Sequence, residues 1–267
     1  MSKTILMIHG VGCGGDVWDN FLLLFENRGW RVETPTLFPE ERTKENPPET
    51  LKALRLSDYI DQASAIARRI TQETGEKPAV MGHSMGGLIA QHLAVKGDAS
   101  AAIFLTPAQT PDCQSFDLRL LRTFWNILKN GQKKIGQGAF KVGPEGFSWG
   151  VLNKVPKERH DEIYTLARYD SGKVYLDLGK PEPIDENAVK IPTLTVGAKK
   201  DRATPIKAVR KVGEKYASAG VAGDYMEYAD HAHWIVDEPG SERVVADILD
   251  WLDEALADAT AQSSAPI

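Results

Sequence analysis

Residues 78–90 of this 267-residue chain read Pro-Ala-Val-Met-Gly-His-Ser-Met-Gly-Gly-Leu-Ile-Ala. The apolar run before the glycines is typical of a buried strand, and the residues after them are typical of a helix. Gly82 and Gly86 stand two positions on either side of Ser84. A serine on a sharp strand-to-helix turn has a strained backbone, and glycines at these positions avoid side-chain clashes. The stretch therefore predicts a turn that holds Ser84 clear of a sheet, where it can act as a nucleophile.

The helix that follows this turn would favour negative charge beside Ser84. Its backbone N–H groups and the positive end of its dipole point towards the serine, where negative charge develops during acyl transfer. The alternative interpretation is a strand, a turn and a helix with incidental glycines. The apolar run on one side of the pentapeptide and the helical residues 88–94 on the other favour the functional interpretation.

Composition limits the class of protein. A chain of 267 residues with 42% hydrophobic residues fits one large α/β domain with an insertion. The net charge of −5 gives no support for binding nucleic acid or an anionic membrane surface. Cys13 and Cys113 are too few for a disulfide framework. The chain passes from Met1 directly into the apolar residues 4–8, which predicts neither a signal peptide nor a membrane span. We expect a cytoplasmic protein.

Strand and helix patterns alternate along most of the chain. This alternation predicts an α/β protein with three α/β/α layers, a mostly parallel sheet of about six strands, and an active site at their carboxyl ends. The mixed charges and prolines of residues 35–57 indicate a solvated loop. The predicted strands are residues 4–8, 30–34, 79–81, 101–105, 193–197 and 224–228, and the clearest helices are residues 58–74 (capped by Ser57 and stopped by Gly75), 205–216 and 241–257.

The alternation stops between residues 108 and 190. Helical patterns at 116–129 and 157–169 lack a clear strand between them, which predicts a helical cap inserted before the strand that carries the acid. Several cap aromatics would form a small core, and two or three would line a substrate pocket. The predicted division is a core of residues 1–107 and 191–258, a cap of 108–190 and a disordered tail of 259–267; the candidates for the pocket are Trp125, Phe147 and Trp149.

The cap sequence is strongly basic. Between Leu118 and Lys157 there are eight basic residues and one acidic residue, Glu145. One interpretation is a solvated positive face. The other is attraction of an anionic substrate or carrier towards the pocket.

A glycine-rich loop, residues 9–15, follows the first predicted strand. An oxyanion hole beside a catalytic serine needs one backbone N–H from the residue after the serine and one from such a loop. Met85 would supply the first, and we choose Val11 for the second. A phosphate-binding loop is the alternative, but the spacing matches neither G-x-G-x-x-G nor the P-loop.

Asp201 is the predicted acid of a catalytic triad. It follows the strand at 193–197, and Thr204 with Pro205 would start the next helix and fix the end of its loop. The order serine, aspartate, histidine along the chain is the one that this scheme requires. Asp112 is the fallback.

Two histidines, His231 and His233, follow the last predicted strand. We choose His233 as the general base because residues 238–239 and the final helix follow it at the distance seen after the catalytic histidine in related chains, and we expect His231 to hydrogen-bond locally. The alternative is a metal site made by the two histidines, but no further ligands accompany them. The sequence thus predicts no metal and no cofactor.

These residues resemble the α/β-hydrolase superfamily over nearly the whole chain. The spacing of His9-Gly10 to Trp18 resembles small plant-type esterases and hydroxynitrile lyases, whose loop N–H two residues after the histidine serves the oxyanion hole. The resemblance implies a serine esterase acting on the ester, lactone or thioester of a small apolar molecule. A carbon–carbon lyase and a slow-turnover receptor are the alternatives. No pattern specifies an oligomeric state.

Overall fold

The computed structural model describes residues 3–115, 117–219 and 223–263, with side chains in the last helix as far as residue 257. The strands are β1 (Thr4–Ile8), β2 (Arg31–Glu33), β3 (Ala79–His83), β4 (Ala101–Leu105), β5 (Ala139–Phe140), β6 (Asp170–Ser171), β7 (Thr193–Ala198) and β8 (Gly223–Tyr228). Six parallel strands form one sheet in the order β2-β1-β3-β4-β7-β8, and β5 pairs antiparallel with β6 in the cap. This confirms the predicted sheet.

Helices cover both faces of the sheet because successive strand side chains point to opposite faces. Ile5 and Met7 of β1 pack in one apolar cluster, whereas Leu6 and Ile8 pack in the other. Helices α1 and α11 contribute to the first cluster, and α2, α3 and α10 to the second. The α-helices outside the cap are α1 (Asp19–Glu26), α2 (Leu56–Thr74), α3 (Met85–Lys96), α10 (Ile206–Ser218) and α11 (Ser241–Ser263).

Helix ends differ from the prediction where side chains or composition favour another boundary. Arg55, not Ser57, caps α2, because the Asp58 carboxylate accepts a hydrogen bond from the Arg55 N–H at 2.7 Å. Gly75 ends this helix with φ 80°, as predicted. The last helix continues to residue 263 through a stretch that contains the strong helix former alanine, so the predicted tail begins as helix; residues 264–267 lie outside the described residues.

The cap is made of short helices. The predicted helix 116–129 is interrupted at Phe124, and the pattern at 157–169 forms an α-helix only as far as Tyr164. The cap was predicted to be helical, and the strands β5 and β6 correct this prediction. Phe116 lies outside the described residues, and the domain limits stay predictions. The cap helices are α4 (Leu118–Thr123), α5 (Trp125–Leu128), α6 (Gly131–Ile135), α7 (Pro144–Gly146), a π-turn (Phe147–Val151), α8 (His160–Tyr164) and α9 (Gly172–Gly179).

Most residues of the segment 35–57 are half-buried or exposed, as the prediction of a solvated loop expects, and residues 49–53 form a short 3₁₀-helix. Leu37, Arg42 and Leu51 are exceptions that the prediction missed, since each is at most 1% exposed. Mixed charge indicates solvation only where charges lack buried partners, and Arg42 has one.

No helix of the described part of the chain is long and apolar enough to cross a membrane. Both cysteines are buried free thiols. The cytoplasmic location stays a prediction.

Candidate active site

Ser84 stands between β3 and α3 in an unusual backbone conformation. Its φ of 56° and ψ of −116° are strained for a residue with a side chain. The surrounding glycines make the turn possible: a Cβ on Gly82 would overlap the Gly86 carbonyl oxygen, and one on Gly86 would overlap that of Ile8. The turn therefore has the geometry that the sequence predicts.

The structure brings Ser84, His233 and Asp201 together. His233 Nε2 lies 3.0 Å from Ser84 Oγ, and His233 Nδ1 lies 2.8 Å from Asp201 Oδ2. With the proton on Nδ1, the ring donates to the carboxylate and its Nε2 can accept from the serine hydroxyl. Asp201 and His233 are 2% and 5% exposed, so water competes little for these bonds.

The Asp201 carboxylate is held by its own loop. Its second oxygen, Oδ1, accepts hydrogen bonds from the N–H groups of Ala203 and Thr204, both at 2.7 Å. The acid is thus oriented before a substrate arrives. Pro205, not Thr204 as predicted, is the cap of α10.

His83 supports the backbone of His233. Its Nε2 donates to the His233 carbonyl oxygen at 2.7 Å, and the two rings are 4.8 Å apart. Burial, together with the nearby His233, lowers the pKa of His83 to about 3, so the ring is neutral at ordinary pH. Sequence reasoning did not assign this residue a role, although it occupies the position before the serine in the G-x-S-x-G pattern.

The competing residues have other partners. His231 Nδ1 lies 3.2 Å from Glu238 Oε2, which also accepts the Ala232 N–H, in agreement with the expected local role. Asp112 pairs with Lys215 and accepts a hydrogen bond from Thr110, so it does not take the position of Asp201.

The glycine-rich loop lies directly against the serine. A Cβ on Gly10 would be 3.1 Å from the Ser84 Cβ, and Val11 lines the same cavity as Ser84. Met85 is the first residue of α3, where a backbone N–H has no intrahelical partner. Both predicted oxyanion donors therefore belong to segments that adjoin the nucleophile.

A buried ion pair holds this loop from behind. Arg42 and Asp170 are both fully buried, with Arg42 Nε 2.6 Å and Nη2 2.9 Å from the carboxylate. Asp170 also accepts the Gly12 N–H and the Tyr59 hydroxyl, and Arg42 donates to the Cys13 carbonyl oxygen at 2.7 Å. The cap strand β6 is thereby tied to the loop.

His9 completes this network. Its Nδ1 donates to the Gly10 carbonyl oxygen at 2.9 Å, while Nε2 accepts from Leu37 N at 3.0 Å and Arg42 Nη1 at 3.1 Å. Burial and the nearby Arg42 hold the pKa of His9 well below its usual value, which keeps the ring neutral. Sequence reasoning missed Arg42 and Asp170, which are 128 residues apart and belong to no motif.

A cavity of about 390 Å³ opens at Ser84 between the sheet and the cap. Its lining is mostly apolar and comes from α4, α5 and α9 together with the loops after β1, β3, β4 and β7. The apolar side chains from the cap are Leu120, Leu121, Phe124, Ile127, Leu128 and Leu178.

None of the three predicted pocket aromatics lines this cavity. Trp125 is 61% exposed at the cap surface, and Phe147 is 3% exposed and packs against Trp234 with ring centres 5.7 Å apart. Trp149 lies between the guanidinium groups of Arg122 and Arg202, at 4.1 and 4.5 Å. The prediction was wrong because aromatic content does not reveal which way short, irregular helices turn their faces.

Seven of the eight basic residues between Leu118 and Lys157 are exposed, as the solvated-face interpretation expects, and Lys141 is half-buried. Within the described ranges, no group of three or more histidine, cysteine, aspartate or glutamate side chains could hold a metal ion.

Comparisons with known proteins find chains of similar sequence and similar fold. A Mycoplasma pneumoniae protein named "Putative esterase/lipase 2" is 27% identical over 211 residues, 77% of this chain and 74% of that protein. A pyrethroid hydrolase from Sphingobium faniae JZ-2 has a similar fold (TM-score 0.69, 21% identity, covering 95% of this chain and 98% of that chain). So does a methylesterase protein from Arabidopsis (TM-score 0.68, 16% identity, 94% and 99%).

A model of the alpha/beta hydrolase family matches residues 5–247. This span includes the serine turn, the aspartate and histidine that face it, and the whole cap. The chain belongs to the alpha/beta hydrolase family.

Proposed function

We propose that this protein is a serine hydrolase that cleaves a carboxylic ester through an acyl-enzyme. The observation that carries this proposal is the continuous chain of hydrogen bonds from Ser84 through His233 to Asp201. An esterase or lipase activity also fits the names of the relatives.

In the first half of the reaction, His233 Nε2 takes the proton of Ser84 as Oγ attacks the ester carbonyl carbon. The carbonyl oxygen becomes negative and accepts hydrogen bonds from the Val11 and Met85 N–H groups. Each such donor is worth about 3 kcal/mol of transition-state stabilisation. Asp201 stabilises the imidazolium, which then gives its proton to the departing alcohol.

In the second half, water takes the place of the alcohol. His233 removes a proton from the water, whose oxygen attacks the acyl carbon, and the same N–H groups hold the negative oxygen again. As this intermediate collapses, His233 returns the proton to Ser84 Oγ, the bond between Oγ and the acyl carbon breaks, and the carboxylic acid is released. A neutral histidine at the start of each half is required.

The cavity supports a small, largely apolar substrate. Its volume of about 390 Å³ and its aliphatic cap lining suit a medium-sized acyl or alkyl group. Esters, lactones and thioesters share the carbonyl and leaving group that this mechanism needs.

The alternatives have less support. Hydroxynitrile lyases, which resemble this chain in the loop at residues 9–15, use an additional cap lysine near the serine. No lysine is among the described residues that line the cavity. A receptor without turnover would not need all three triad groups in hydrogen-bonding positions.

Hydrolysis of p-nitrophenyl esters of increasing acyl length, with a lactone and a thioester alongside, tests the proposal. We expect turnover with a length optimum, and a loss of at least about 10⁴-fold in kcat/KM for Ser84→Ala. Equal turnover by wild type and Ser84→Ala would contradict the proposal.

Two matched cap variants test where the substrate lies. Phe124→Ala, which enlarges the cavity, should shift the length optimum to longer acyl chains. Trp125→Ala, at the exposed neighbouring position, should leave it unchanged. A shift with Trp125→Ala alone would place the substrate elsewhere on the cap.

A further inference from the structure

The loop that carries Asp201 has little regular structure of its own. Strand β7 ends at Ala198 and helix α10 begins at Ile206, so the residues between them depend on other contacts for a fixed position. The carboxylate accepts two N–H groups of the same loop, which orients it within the loop but does not place the loop in the fold. The triad therefore needs further contacts that hold this backbone.

One such contact comes from the cap. The Arg202 side chain, directly after Asp201, donates from Nη1 to the Trp149 carbonyl oxygen at 3.0 Å. Trp149 belongs to the π-turn Phe147–Val151, and carbonyl groups in the last turn of a helical segment have no partner within that segment. Arg202 also lies against the Trp149 ring, with its Cζ 4.5 Å from the ring centre. A single side chain thus joins the acid loop to the cap by two contacts.

The residue on the other side of Asp201 is held as well. The Lys200 carbonyl oxygen accepts from Asn153 Nδ2 at 3.0 Å, two residues beyond the π-turn. The Lys200 N–H donates to the His231 carbonyl oxygen at 3.0 Å, in the loop that carries His233. The acid loop is therefore bound both to the histidine loop and to the cap.

The same π-turn also contacts the histidine loop. Phe147 packs against Trp234, the residue after His233, with ring centres 5.7 Å apart. Both rings are buried, so this contact is part of the core. One segment of the cap thus contacts the chain neighbours of both the acid and the base, and a change in its contacts would alter the geometry of the triad.

We propose that Arg202 is a positioning residue, which holds the Asp201 backbone through Trp149 at the place where the carboxylate meets His233 Nδ1. The inference rests on the proposed function, since it concerns the triad of that reaction. The distance from Nδ1 to Oδ2 is 2.8 Å, and a displacement of about 1 Å in a catalytic group can cost about 100-fold in rate. Arg202 lies outside the described lining of the cavity, so it acts through Asp201 and not on the substrate.

Arg202→Met tests this role. Methionine keeps an unbranched stem against the indole but removes the guanidinium and its hydrogen bond. Because Arg202 is only half-buried, the variant should fold. With the p-nitrophenyl ester at the length optimum, kcat should fall by at least about 10-fold while KM stays within about twofold. A smaller fall in kcat, or a loss that lies in KM, would overturn the inference.

Arg122→Met is the matched control. Arg122, on α4, lies against the same ring, with its Cζ 4.1 Å from the ring centre. This change removes the same kind of contact from the same indole but leaves the acid loop untouched, so kcat should stay within about twofold. An equal loss of kcat in both variants would assign the effect to packing of the cap and overturn the role of Arg202.

A double-mutant cycle with Asp201→Asn separates positioning from a merely structural effect. If Arg202 acts through the Asp201 carboxylate, Arg202→Met should change kcat by less than about twofold in the Asp201→Asn background, where that carboxylate is absent. A general loss of structure, or a direct effect of the guanidinium charge on the substrate, would lower kcat in both backgrounds. A loss of about 10-fold that persists in the Asp201→Asn background would therefore overturn the inference.

The two proposals fail in different ways. Absence of Ser84-dependent hydrolysis by the wild type would contradict the proposed function and this inference together. Hydrolysis by the wild type with an unchanged kcat in Arg202→Met would contradict the role of Arg202 alone.

Discussion

Two buried polar networks lie side by side at the candidate site, and both are centred on an aspartate. In the first, Asp201 orients His233 towards Ser84. In the second, Asp170 binds Arg42 and the loop that carries the predicted oxyanion donor Val11. The first network reaches the cavity through Ser84, whereas the second is a fully buried ion pair.

The difference lies in what each network does with its charge. The Asp201 carboxylate faces a ring that becomes positive during the proposed reaction, so its electrostatic stabilisation is greatest in the transition state. The Asp170 carboxylate faces a guanidinium that is always charged, so its electrostatic interaction acts on the stability of the folded chain. The same substitution in the two networks should therefore affect different properties.

The largest effect is expected for Asp201→Asn. An amide cannot stabilise the imidazolium and favours the wrong histidine tautomer, so kcat should fall by about 10⁴-fold while the free energy of unfolding changes little. Ester hydrolysis and urea denaturation of the same preparation measure the two quantities.

Asp112→Asn is the control for this change. Asp112 pairs with Lys215 on the surface, and its substitution should leave kcat within about twofold. A comparable loss of activity in both variants would contradict the assignment of Asp201 as the acid.

The next largest effect is expected for Asp170→Asn. This change leaves the buried Arg42 guanidinium without a counter-charge and should lower the free energy of unfolding by about 3 to 5 kcal/mol. Activity should fall less than in Asp201→Asn, since the triad stays in place and only the loop at Gly12 loses a partner. Urea denaturation measures the first effect.

Asp250→Asn provides the exposed counterpart. Asp250 and its partner Arg28 are 69% and 46% exposed, and loss of such a pair should cost less than about 1 kcal/mol. If both variants lost the same stability, the buried pair would have no special structural role.

The smallest effect is a dependence of stability on pH that comes from the two buried neutral histidines. The folded-state pKa of His83 is lowered to about 3 and that of His9 is lowered well below 6.5, whereas both titrate near 6.5 when unfolded. Below pH 6.5 the unfolded chain binds protons that the folded chain does not. The free energy of unfolding should thus fall between pH 6.5 and pH 5, and about 2 kcal/mol of this loss should come from His83.

His83→Gln separates one of these contributions. The amide can still donate to the His233 carbonyl oxygen but does not titrate, so the loss of stability over this pH interval should shrink by about 2 kcal/mol. An identical loss in wild type and variant would show that His83 does not titrate on unfolding.

The first network could be predicted from the sequence because its members follow strands at short, regular distances. Ser84 lies in a motif with its strand and helix beside it, and the loops after β7 and β8 carry the aspartate and histidine that the structure brings to it. The parallel sheet follows from the same alternation of apolar strands and helices. Chain order along a parallel sheet thus predicted both the fold and the grouping of these residues.

The second network could not be predicted in this way. Arg42 lies in a proline-containing segment that resembles a solvated loop, and Asp170 follows a break in the cap helices. Their pairing depends on how the cap rests on the core, which no local pattern encodes. The lining of the cavity also depends on how the cap packs on the core. Aliphatic residues such as Leu121 line it in place of Trp149 and the other predicted aromatics.

The most direct test of a serine nucleophile does not depend on the identity of the substrate. The protein is treated with an alkyl fluorophosphonate, and the intact mass and the labelled peptide are determined by mass spectrometry for wild type and Ser84→Ala. We predict one phosphonyl group per wild-type chain, attached to Ser84, and none on the variant. An unlabelled wild type, or a label that persists in Ser84→Ala, would contradict the assignment of Ser84 as the nucleophile.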